Sequence, residues 1–322
     1  MVSMFSIMGQ NNLAQNLAVY IAPREHQRDF TQDLRQELKL RGIKILSKQG
    51  RLFICEGPAK HVVFAQETWF DVETIKFQSI SEAALALKEK GTRYYHYSLN
   101  NHRRGELILD KVPKAREKKY NFLETVPSTP IGVFSLLSEH EMIFSPRTNC
   151  PLPMGEINFN EDKVTPPSRA YLKLWELFTL YGIKPAAGMK VIDMGSCPGG
   201  WTWVLQTVGC YVVSVDKAPL DPKISILPNI EFRQESAFGL RPMHVGKLDW
   251  FYSDIICYPS KLLELVSRYR DSGLVDNFAC TIKFQNETDF ETMFKFEEIP
   301  HSKIVHLSAN KHEVTWINTK NI

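Results

Sequence analysis

The sequence predicts an α/β fold for its C-terminal half, with a mostly parallel sheet covered by helices, and a smaller α+β domain in front of it. Beyond Pro167, apolar segments of strand length alternate with segments of helical spacing, which is typical of parallel strands joined by helices. The last two strand patterns indicate an antiparallel pair. Before Pro127, helix and strand patterns are mixed without this alternation.

A proline-rich stretch separates the two halves. Seven prolines lie between Pro127 and Pro167, and proline fits neither a helix interior nor a central strand. We therefore predict a first domain over residues 1–150, a linker over residues 151–166 and a second domain over residues 167–322. Residues 1–150 contain 21 lysines and arginines against 16 aspartates and glutamates, whereas the remainder has a slight excess of acids. The basic first domain is thus expected to bind a polyanion.

The individual elements follow from periodicity. In the first domain we predict an apolar strand-like run over Asn16–Ala22, a helix over Asp29–Leu40, strands over Arg51–Cys55 and His61–Ala65, and a helix over Ser81–Glu89 with Ser81 as its N-cap. The stretch between Pro127 and Pro167 is predicted to be irregular. In the second domain we predict helices over Ser168–Leu180, from Gly200 and over Ser260–Tyr269, and strands over Met189–Gly195, Tyr211–Asp216, Ile230–Gln234, Trp250–Ile255, Phe278–Phe284, Lys303–Leu307 and Glu313–Ile317.

Composition excludes several classes of protein. No run of about 18 apolar residues is present, so no membrane span is expected. The N-terminus lacks a secretory signal pattern, and the six cysteines include no Cys-x-x-Cys pair, so we expect a cytoplasmic chain with reduced thiols. The nine histidines show no His-x-x-x-His spacing, and no metal is predicted. The sequence gives no indication of the oligomeric state.

The strongest local signal is a glycine turn between a predicted strand and a predicted helix, over residues 191–201. A dinucleotide fingerprint would need glycine at position 197, where this chain has Cys197 followed by Pro198. Gly199 and Gly200 still allow a ligand to approach the backbone closely, and the free N–H groups of the helix start suit a carboxylate. Cys197 could be a nucleophile, but without a nearby histidine a packed thiol is the favoured interpretation.

Asp216 ends the strand that follows the turn. Ligands of parallel sheets bind at the carboxyl ends of the strands, and an acidic side chain there can accept hydrogen bonds from both ribose hydroxyls of an adenosine cofactor. The alternative is a surface aspartate that starts the next turn.

Several segments in a fixed order resemble the S-adenosylmethionine-dependent 2′-O-ribose RNA methyltransferases of the FtsJ-like superfamily. The matching segments are Pro167–Leu174, Asp193–Trp201, Ser214–Asp216, Asp249–Asp254, Ile282–Lys283 and Glu313–Thr315. The resemblance implies a Rossmann-like methyltransferase fold with an antiparallel last strand, S-adenosyl-L-methionine as cofactor, and methyl transfer to an RNA ribose, with a cytidine of 23S ribosomal RNA as the expected target. The front half resembles the family's THUMP-like RNA-binding region only in placement and charge.

The resemblance also implies the site. Its catalytic residues would be Lys173, Asp254, Lys283 and Glu313. Its cofactor-binding residues would be Asp193, Gly195, Ser196, Cys197, Pro198, Gly199, Gly200, Trp201, Asp216, Ser236 and Asp254. Burial and the neighbouring Lys173 are expected to favour a neutral amine at Lys283, which could then take the proton of a ribose 2′-hydroxyl. Taken alone, Lys173 and Glu313 also fit side chains that merely face solvent.

The chain departs from the family at three points. Ser236 stands where relatives have an aspartate that contacts adenine, and Ala170 stands where the most similar relatives have serine. The front half is also shorter, so the RNA target could differ.

RNA is the expected partner, and no membrane is expected. The predicted phosphate contacts are Arg103, Arg104, Lys111, Lys114, Arg116, Lys118 and Lys119, although a run of charges could also be a solvated loop. Three alternative functions stay open: a non-catalytic RNA-binding or assembly factor, a nicotinamide-dependent oxidoreductase, and a ribose methyltransferase that acts on the mRNA cap or on tRNA.

Overall fold

The structure is a computed structural model that describes residues 16–24 and 29–320 of the 322-residue chain. Within these residues, every helix is too short or too polar to cross a bilayer.

The N-terminal half contains two mainly antiparallel sheets. Its elements in chain order are β1 (Leu17–Ile21), α1 (Phe30–Leu40), β2 (Ile45–Gln49), β3 (Leu52–Glu56), β4 (Glu67–Phe70), β5 (Glu73–Lys76), α2 (Ile80–Lys88), β6 (Tyr94–His96), α3 (His102–Leu109), β7 (Lys119–Tyr120), β8 (Gly132–Ser138), β9 (Glu141–Ser145), β10 (Arg147–Thr148) and β11 (Asn158–Phe159). One sheet has the order β10-β4-β1-β3-β2 and the other the order β5-β9-β8-β6, while β7 and β11 form a parallel pair.

Three predictions for this half are wrong: one strand, the N-cap of a helix that is otherwise confirmed, and the irregular structure of the proline-rich stretch. His61–Ala65 is a turn, because the N–H groups of Val63 and Phe64 donate to the buried carboxylate of Glu37 (2.8 Å each) instead of to a neighbouring strand. The second helix is capped by Ser79, whose Oγ accepts from the N–H of Glu82 (3.1 Å), and not by Ser81.

The stretch from Pro127 to Pro167 is the third error, because it holds the hairpin of β8 and β9. The hairpin fits between Pro130 and Pro146, so the prolines flank these strands without interrupting them. The short strands β10 and β11 lie in the same stretch, so proline content alone concealed four strands.

The C-terminal half confirms the predicted fold class. Its elements are α4 (Tyr171–Thr179), β12 (Lys190–Met194), α5 (Gly200–Thr207), β13 (Tyr211–Asp216), α6 (Pro222–Ser225), β14 (Ile230–Gln234), β15 (Leu248–Ser253), α7 (Pro259–Asp271), β16 (Val275–Lys283), α8 (Phe290–Glu297), β17 (Ser302–Val305) and β18 (Glu313–Asn318). They form a seven-stranded sheet of order β14-β13-β12-β15-β16-β18-β17, parallel from β14 to β16 and antiparallel at β18 and β17.

The strand order determines where a site can form. β12 is central, and the chain runs outward from it to β14 on one side and to β17 on the other, so the order reverses between β12 and β15. Ligands of such sheets bind outside the carboxyl ends at this reversal. Because β16 and β18 are antiparallel, Lys283 at the end of β16 lies directly opposite Glu313 at the start of β18.

One hydrophobic cluster joins the two halves. Phe64 packs against Phe284 and Phe290 of the C-terminal half, with ring centroids 6.2 and 5.9 Å apart. Arg41 at the end of α1 binds Glu297 through its guanidinium (2.9 Å). The domain limits proposed from the sequence stay a prediction, and the contacts place α1 against the second half of the chain.

Candidate active site

Four charged side chains from distant segments meet at the carboxyl edge of the parallel sheet. Lys173 projects from α4, Asp254 follows β15, Lys283 ends β16 and Glu313 begins β18. The Nζ atom of Lys173 lies 2.8 Å from Asp254 Oδ1 and 2.6 Å from Glu313 Oε1. Lys283 donates to the backbone carbonyl of Asp254 (2.6 Å), and its Nζ is 3.2 Å from Asp254 Oδ1. The structure therefore brings all four predicted residues into one cluster.

The electrostatics of the cluster follow from burial and pairing. Burial raises the pKa of the Asp254 carboxyl, but the ammonium groups of Lys173 and Lys283 outweigh it and hold that pKa below its ordinary value. Burial likewise lowers the pKa of Lys173, while Asp254 and Glu313 overcome it and leave the pKa raised. Lys173 is thus a charged group held between two carboxylates.

The two lysines differ in accessibility. The Lys173 side chain is 7% exposed, and that of Lys283 is 18% exposed. Lys283 and Asp254 line the neighbouring cavity, whereas Lys173 is absent from its lining. Lys283 can therefore contact a substrate directly, and Lys173 is placed to orient the carboxylates.

The glycine turn lies beside this cluster. Gly195 and Gly199 have φ of +78° and +112°, which favours glycine, and a Cβ atom on Gly195 would lie 2.7 Å from Ile255 Cα. Asp216 stabilises the turn, since its carboxylate accepts from the N–H groups of Cys197 (3.0 Å) and Ala218 (2.9 Å). The conformation of the turn therefore depends on contacts from two neighbouring strands.

Cys197 is a half-buried thiol that lines the cavity beside the turn. Its Sγ donates to the carbonyl of Pro219 (3.3 Å). Burial and the nearby Asp216 raise the pKa of the thiol, which disfavours the thiolate that a nucleophile needs.

A cavity of about 490 Å³ opens between the turn and the charged cluster, a size suited to a nucleoside cofactor. Of the predicted cofactor-binding residues, all except Gly199 line it. Gly199 instead faces Ile224, whose Cγ2 would be 2.9 Å from a Cβ atom at this position. Further lining residues that sequence reasoning missed are Ser168, Ala170, Lys217, Ala237, Phe238, Ile255 and Ile256.

Some of the missed residues had a signal in the sequence. Phe238 lies two positions beyond Ser236, and Ile255 and Ile256 directly follow Asp254, so the neighbours of predicted residues supply the apolar wall. Ala170 stabilises the wall of the cavity through its backbone, because its carbonyl oxygen accepts a hydrogen bond from Trp201 Nε1 (2.9 Å). Trp201 is itself a packed aromatic residue, because only 3% of it is exposed.

The polar atoms of the cavity fit a cofactor with a charged amino-acid end. Asp193 and Ser196 line it, and Asp193 Oδ1 and Ser196 Oγ are buried without a hydrogen-bond partner among the described residues. Burial raises the pKa of Asp193 to about 7, with Asp254 and Asp216 adding to the effect and Thr202 opposing it. A cationic ligand group would satisfy these atoms and favour the ionised carboxylate.

The close approach at Gly195 gives a first prediction. We expect Gly195→Ala to destabilise the fold by about 1–3 kcal/mol more than Gly246→Ala, because overpacking adds to the backbone strain. Gly246 is a matched control, since its φ of +77° is nearly the same but no atom lies within 4 Å of a Cβ at that position. Urea unfolding of both variants measures the difference, and equal losses would show that the contact with Ile255 is unimportant.

The predicted RNA-binding residues lie on α3 and the segment after it, and they are of two kinds. Arg104, Lys114 and Lys118 are engaged with the carboxylates of Glu139, Asp110 and Glu124. Exposed residues for which no carboxylate partner is found within the described ranges are Arg103, Lys111, Arg116 and Lys119. Lys119 lines a second cavity together with Arg169, Leu172 and Glu176, next to the helix that carries Lys173.

Comparisons with known proteins agree with this geometry. The FtsJ-like methyltransferase family matches residues 166–283. The chain is 34% identical over 129 residues to the ribosomal RNA large subunit methyltransferase M of Alkalilimnicola ehrlichii, covering 38% of this chain and 35% of that protein. It is 30% identical over 139 residues to the protein of the same name from Laribacter hongkongensis, covering 41% and 38%. The matches thus span little more than a third of these relatives, and the similarity to the FtsJ-like methyltransferase family lies within residues 166–283 of this chain.

Proposed function

We propose that this protein transfers a methyl group from S-adenosyl-L-methionine to a ribose 2′-hydroxyl of RNA, with a cytidine of 23S ribosomal RNA as the first target to test. The observation that carries the proposal is the position of Lys283 and Asp254, which line the same cavity as the glycine turn. The names of the curated relatives support ribosomal RNA as the substrate class.

Different residues of the cavity would bind different parts of the cofactor. Asp216 would accept from the ribose hydroxyls, because each carboxylate oxygen retains acceptor capacity beyond its one backbone bond. Ser236 and Phe238 would contact the adenine, and Asp193 with Ser196 would bind the amino-acid end. When bound, S-adenosyl-L-methionine supplies a methyl group on a sulfonium centre, which leaves as a neutral thioether.

Lys283 would act as the general base. The ammonium group that pairs with Asp254 would first give up its proton, and the neutral amine would then take the proton of the ribose 2′-hydroxyl, so that the ribose oxygen becomes the nucleophile for the methyl group. The proton then passes from Lys283 to solvent. Asp254 holds the amine in position through its carbonyl and carboxylate, and Lys173 keeps Asp254 and Glu313 in place. Lys173 is therefore a positioning residue.

The transfer is tested with unmodified 23S ribosomal RNA, tRNA and capped mRNA as separate substrates, together with labelled S-adenosyl-L-methionine. We expect label in the ribosomal RNA at an internucleotide linkage that resists alkaline hydrolysis, as a 2′-O-methyl group requires. Label in a base, or no transfer to any of the three RNAs by protein that binds the cofactor, would contradict the proposal. Transfer only to tRNA or capped mRNA would support methyl transfer to a ribose but would contradict ribosomal RNA as the substrate.

The raised pKa of Asp193 gives a pH prediction. Its folded-state pKa of about 7 exceeds the ordinary 3.8, so the folded protein binds more protons than the unfolded chain between about pH 4 and pH 7. The contribution of Asp193 to stability therefore falls as the pH rises through this window. The variant Asp193→Asn lacks this loss. We therefore expect its free energy of unfolding minus that of the unmodified protein to increase by up to about 4 kcal/mol from pH 4 to pH 8.

Urea unfolding at several pH values measures this difference. The other titrating groups affect both proteins alike, and Thr202 can still donate to an asparagine oxygen as it does to Asp193 Oδ2 (2.7 Å). A difference that does not change with pH would show that Asp193 is ionised throughout. The same variant should bind the cofactor more weakly if Asp193 holds its amino group.

The basic segment is tested through its salt dependence. We expect neutralising the four exposed cations for which no carboxylate partner is found within the described ranges to weaken the binding of different RNA sequences about equally and to reduce the salt slope by roughly 0.7–0.9 per lost contact. These residues are Arg103, Lys111, Arg116 and Lys119. A matched control neutralises four exposed lysines of the C-terminal half, Lys223, Lys247, Lys261 and Lys295. A loss confined to one RNA sequence, or an equal loss in the control, would contradict phosphate binding by this segment.

A further inference from the structure

We propose that His96, His102 and Glu106 form a binding site for a divalent transition-metal ion, Zn²⁺ in the first place, in the N-terminal half of the protein. Each side chain offers one ligand atom, and these atoms all lie within 4.8 Å of one another. The site lies on β6 and α3, outside the candidate active site.

Tertiary structure assembles this cluster. His102 and Glu106 are one helical turn apart on α3, so their side chains share a face of the helix. His96 ends β6 and completes the set from the adjacent strand. The spacing His-x₅-His-x₃-Glu resembles no common metal motif, so the absence of His-x-x-x-His pairs was not a sufficient reason to expect no metal.

The ring of His96 is held in a fixed orientation. Its side chain is 1% exposed, and the ring stacks on Phe134 with centroids 5.0 Å apart and planes 16° apart. A Cβ atom at Gly105 would lie only 2.1 Å from its Cε1, so glycine is required there for the ring to reach the helix. Its Nδ1 lies 2.8 Å from Glu106 Oε1. His96 is thus a preoriented ligand.

The other two ligands can adjust to an ion. His102 is exposed, and the Glu106 side chain is 45% exposed. Nδ1 of His102 contacts Ser98 Oγ (3.0 Å), which leaves Nε2 for the metal. Tetrahedral zinc with bonds of about 2.0–2.1 Å needs ligand atoms about 3.4 Å apart, a distance that small rotations of these surface side chains can reach.

The donor set determines the class of ion. Two imidazoles and one carboxylate form the His₂Glu set that binds Zn²⁺ with a water in the fourth position, and imidazole also suits Co²⁺ and Ni²⁺. Hard cations such as Mg²⁺ and Ca²⁺ prefer sites made only of oxygen ligands. A bound ion would connect β6 to the start of α3 in place of the hydrogen bond between His96 Nδ1 and Glu106 Oε1, because a metal-bound imidazole nitrogen carries no proton to donate.

The test is a titration of the full-length protein, without a histidine tag and freed of metal, with Co²⁺ as a spectroscopic probe. We expect one equivalent to bind with visible ligand-field bands, without the sulfur-to-cobalt charge transfer that a cysteine site would give, and Zn²⁺ to displace it. His102→Ala and Glu106→Gln should each weaken binding roughly tenfold or more, whereas His244→Ala, an exposed histidine of the C-terminal half, should leave it unchanged.

A second readout is thermal stability. Saturating Zn²⁺ should raise the melting temperature of the unmodified protein and of His244→Ala, but much less that of the other two variants. His96 is left intact in these variants because its ring is part of the core. Failure of the unmodified protein to bind Co²⁺ saturably, or equal affinity in all three variants, would overturn the proposal and leave the contact between His96 and Glu106 as a simple hydrogen bond.

Discussion

Lys283→Ala is expected to lower kcat for methyl transfer by about 10²–10⁴-fold, the range that a positioned general base contributes. Binding of the cofactor should change much less, because the glycine turn and Asp216 remain intact. The comparison of kcat with the dissociation constant of S-adenosyl-L-methionine separates the two effects. Lys247→Ala is the matched control, since this exposed lysine pairs with Asp276 near the opposite, amino-terminal edge of the sheet.

Lys283→Arg decides what the lysine contributes. Arginine retains the positive charge but does not release its proton in proteins, so it cannot serve as a base. If Lys283 takes the proton of the 2′-hydroxyl, this variant should be nearly as inactive as Lys283→Ala. Substantial activity of Lys283→Arg would show that only the charge is needed, and full activity of Lys283→Ala would end the proposed mechanism.

Lys173→Met is expected to destabilise the protein by about 3–5 kcal/mol, the usual result of removing one partner from a buried ion cluster. Lys173 lies between two carboxylates whose side chains are only 14% and 10% exposed, those of Asp254 and Glu313. Without the ammonium group, Glu313 loses this ion pair and Asp254 keeps only Lys283. Urea unfolding at neutral pH measures the loss.

The pH dependence and a double variant test the cause of this effect. The stability that comes from the lowered pKa of Asp254 is present above the ordinary pKa of 3.8 and is lost as the pH falls through the pKa of the folded state. The difference in free energy of unfolding between Lys173→Met and the unmodified protein should therefore become smaller in acid. Adding Glu313→Gln to Lys173→Met should recover part of the loss. Stability of Lys173→Met within about 0.5 kcal/mol of the unmodified protein would show that the cluster is effectively solvated.

The sequence was a good guide to the strands of the C-terminal half. The predicted strands Tyr211–Asp216 and Ile230–Gln234 agree with the structure to the residue, and Glu313–Ile317 is one residue short. These strands are rich in β-branched and aromatic residues, so much of their pattern is visible locally. The errors fall where a distant group decides the conformation, as the carboxylate of Glu37 does for residues 61–65.

The same distinction holds for the site. The glycine turn, Asp216 and the positions of Asp254 and Lys283 at strand ends follow from local pattern and from the rule that parallel sheets bind ligands at their carboxyl edge. Phe238, Ile255 and Ile256 form the apolar wall of the cavity and lie next to predicted site residues in the sequence. They could have been predicted by the same rule, but they carry no ionisable group that would have marked them as site residues.

By itself, the sequence determined the fold class and the edge of the sheet that carries the cavity, because periodicity and turn chemistry are local properties, and its resemblance to a known family named most of the lining residues and the four charged residues. Only the tertiary structure decided how the charges pair: it placed Lys173 of α4 between Asp254 and Glu313, and it brought His96 to His102 and Glu106. The physical reason is that charge pairing and burial depend on distances across the fold, which separation along the chain does not specify.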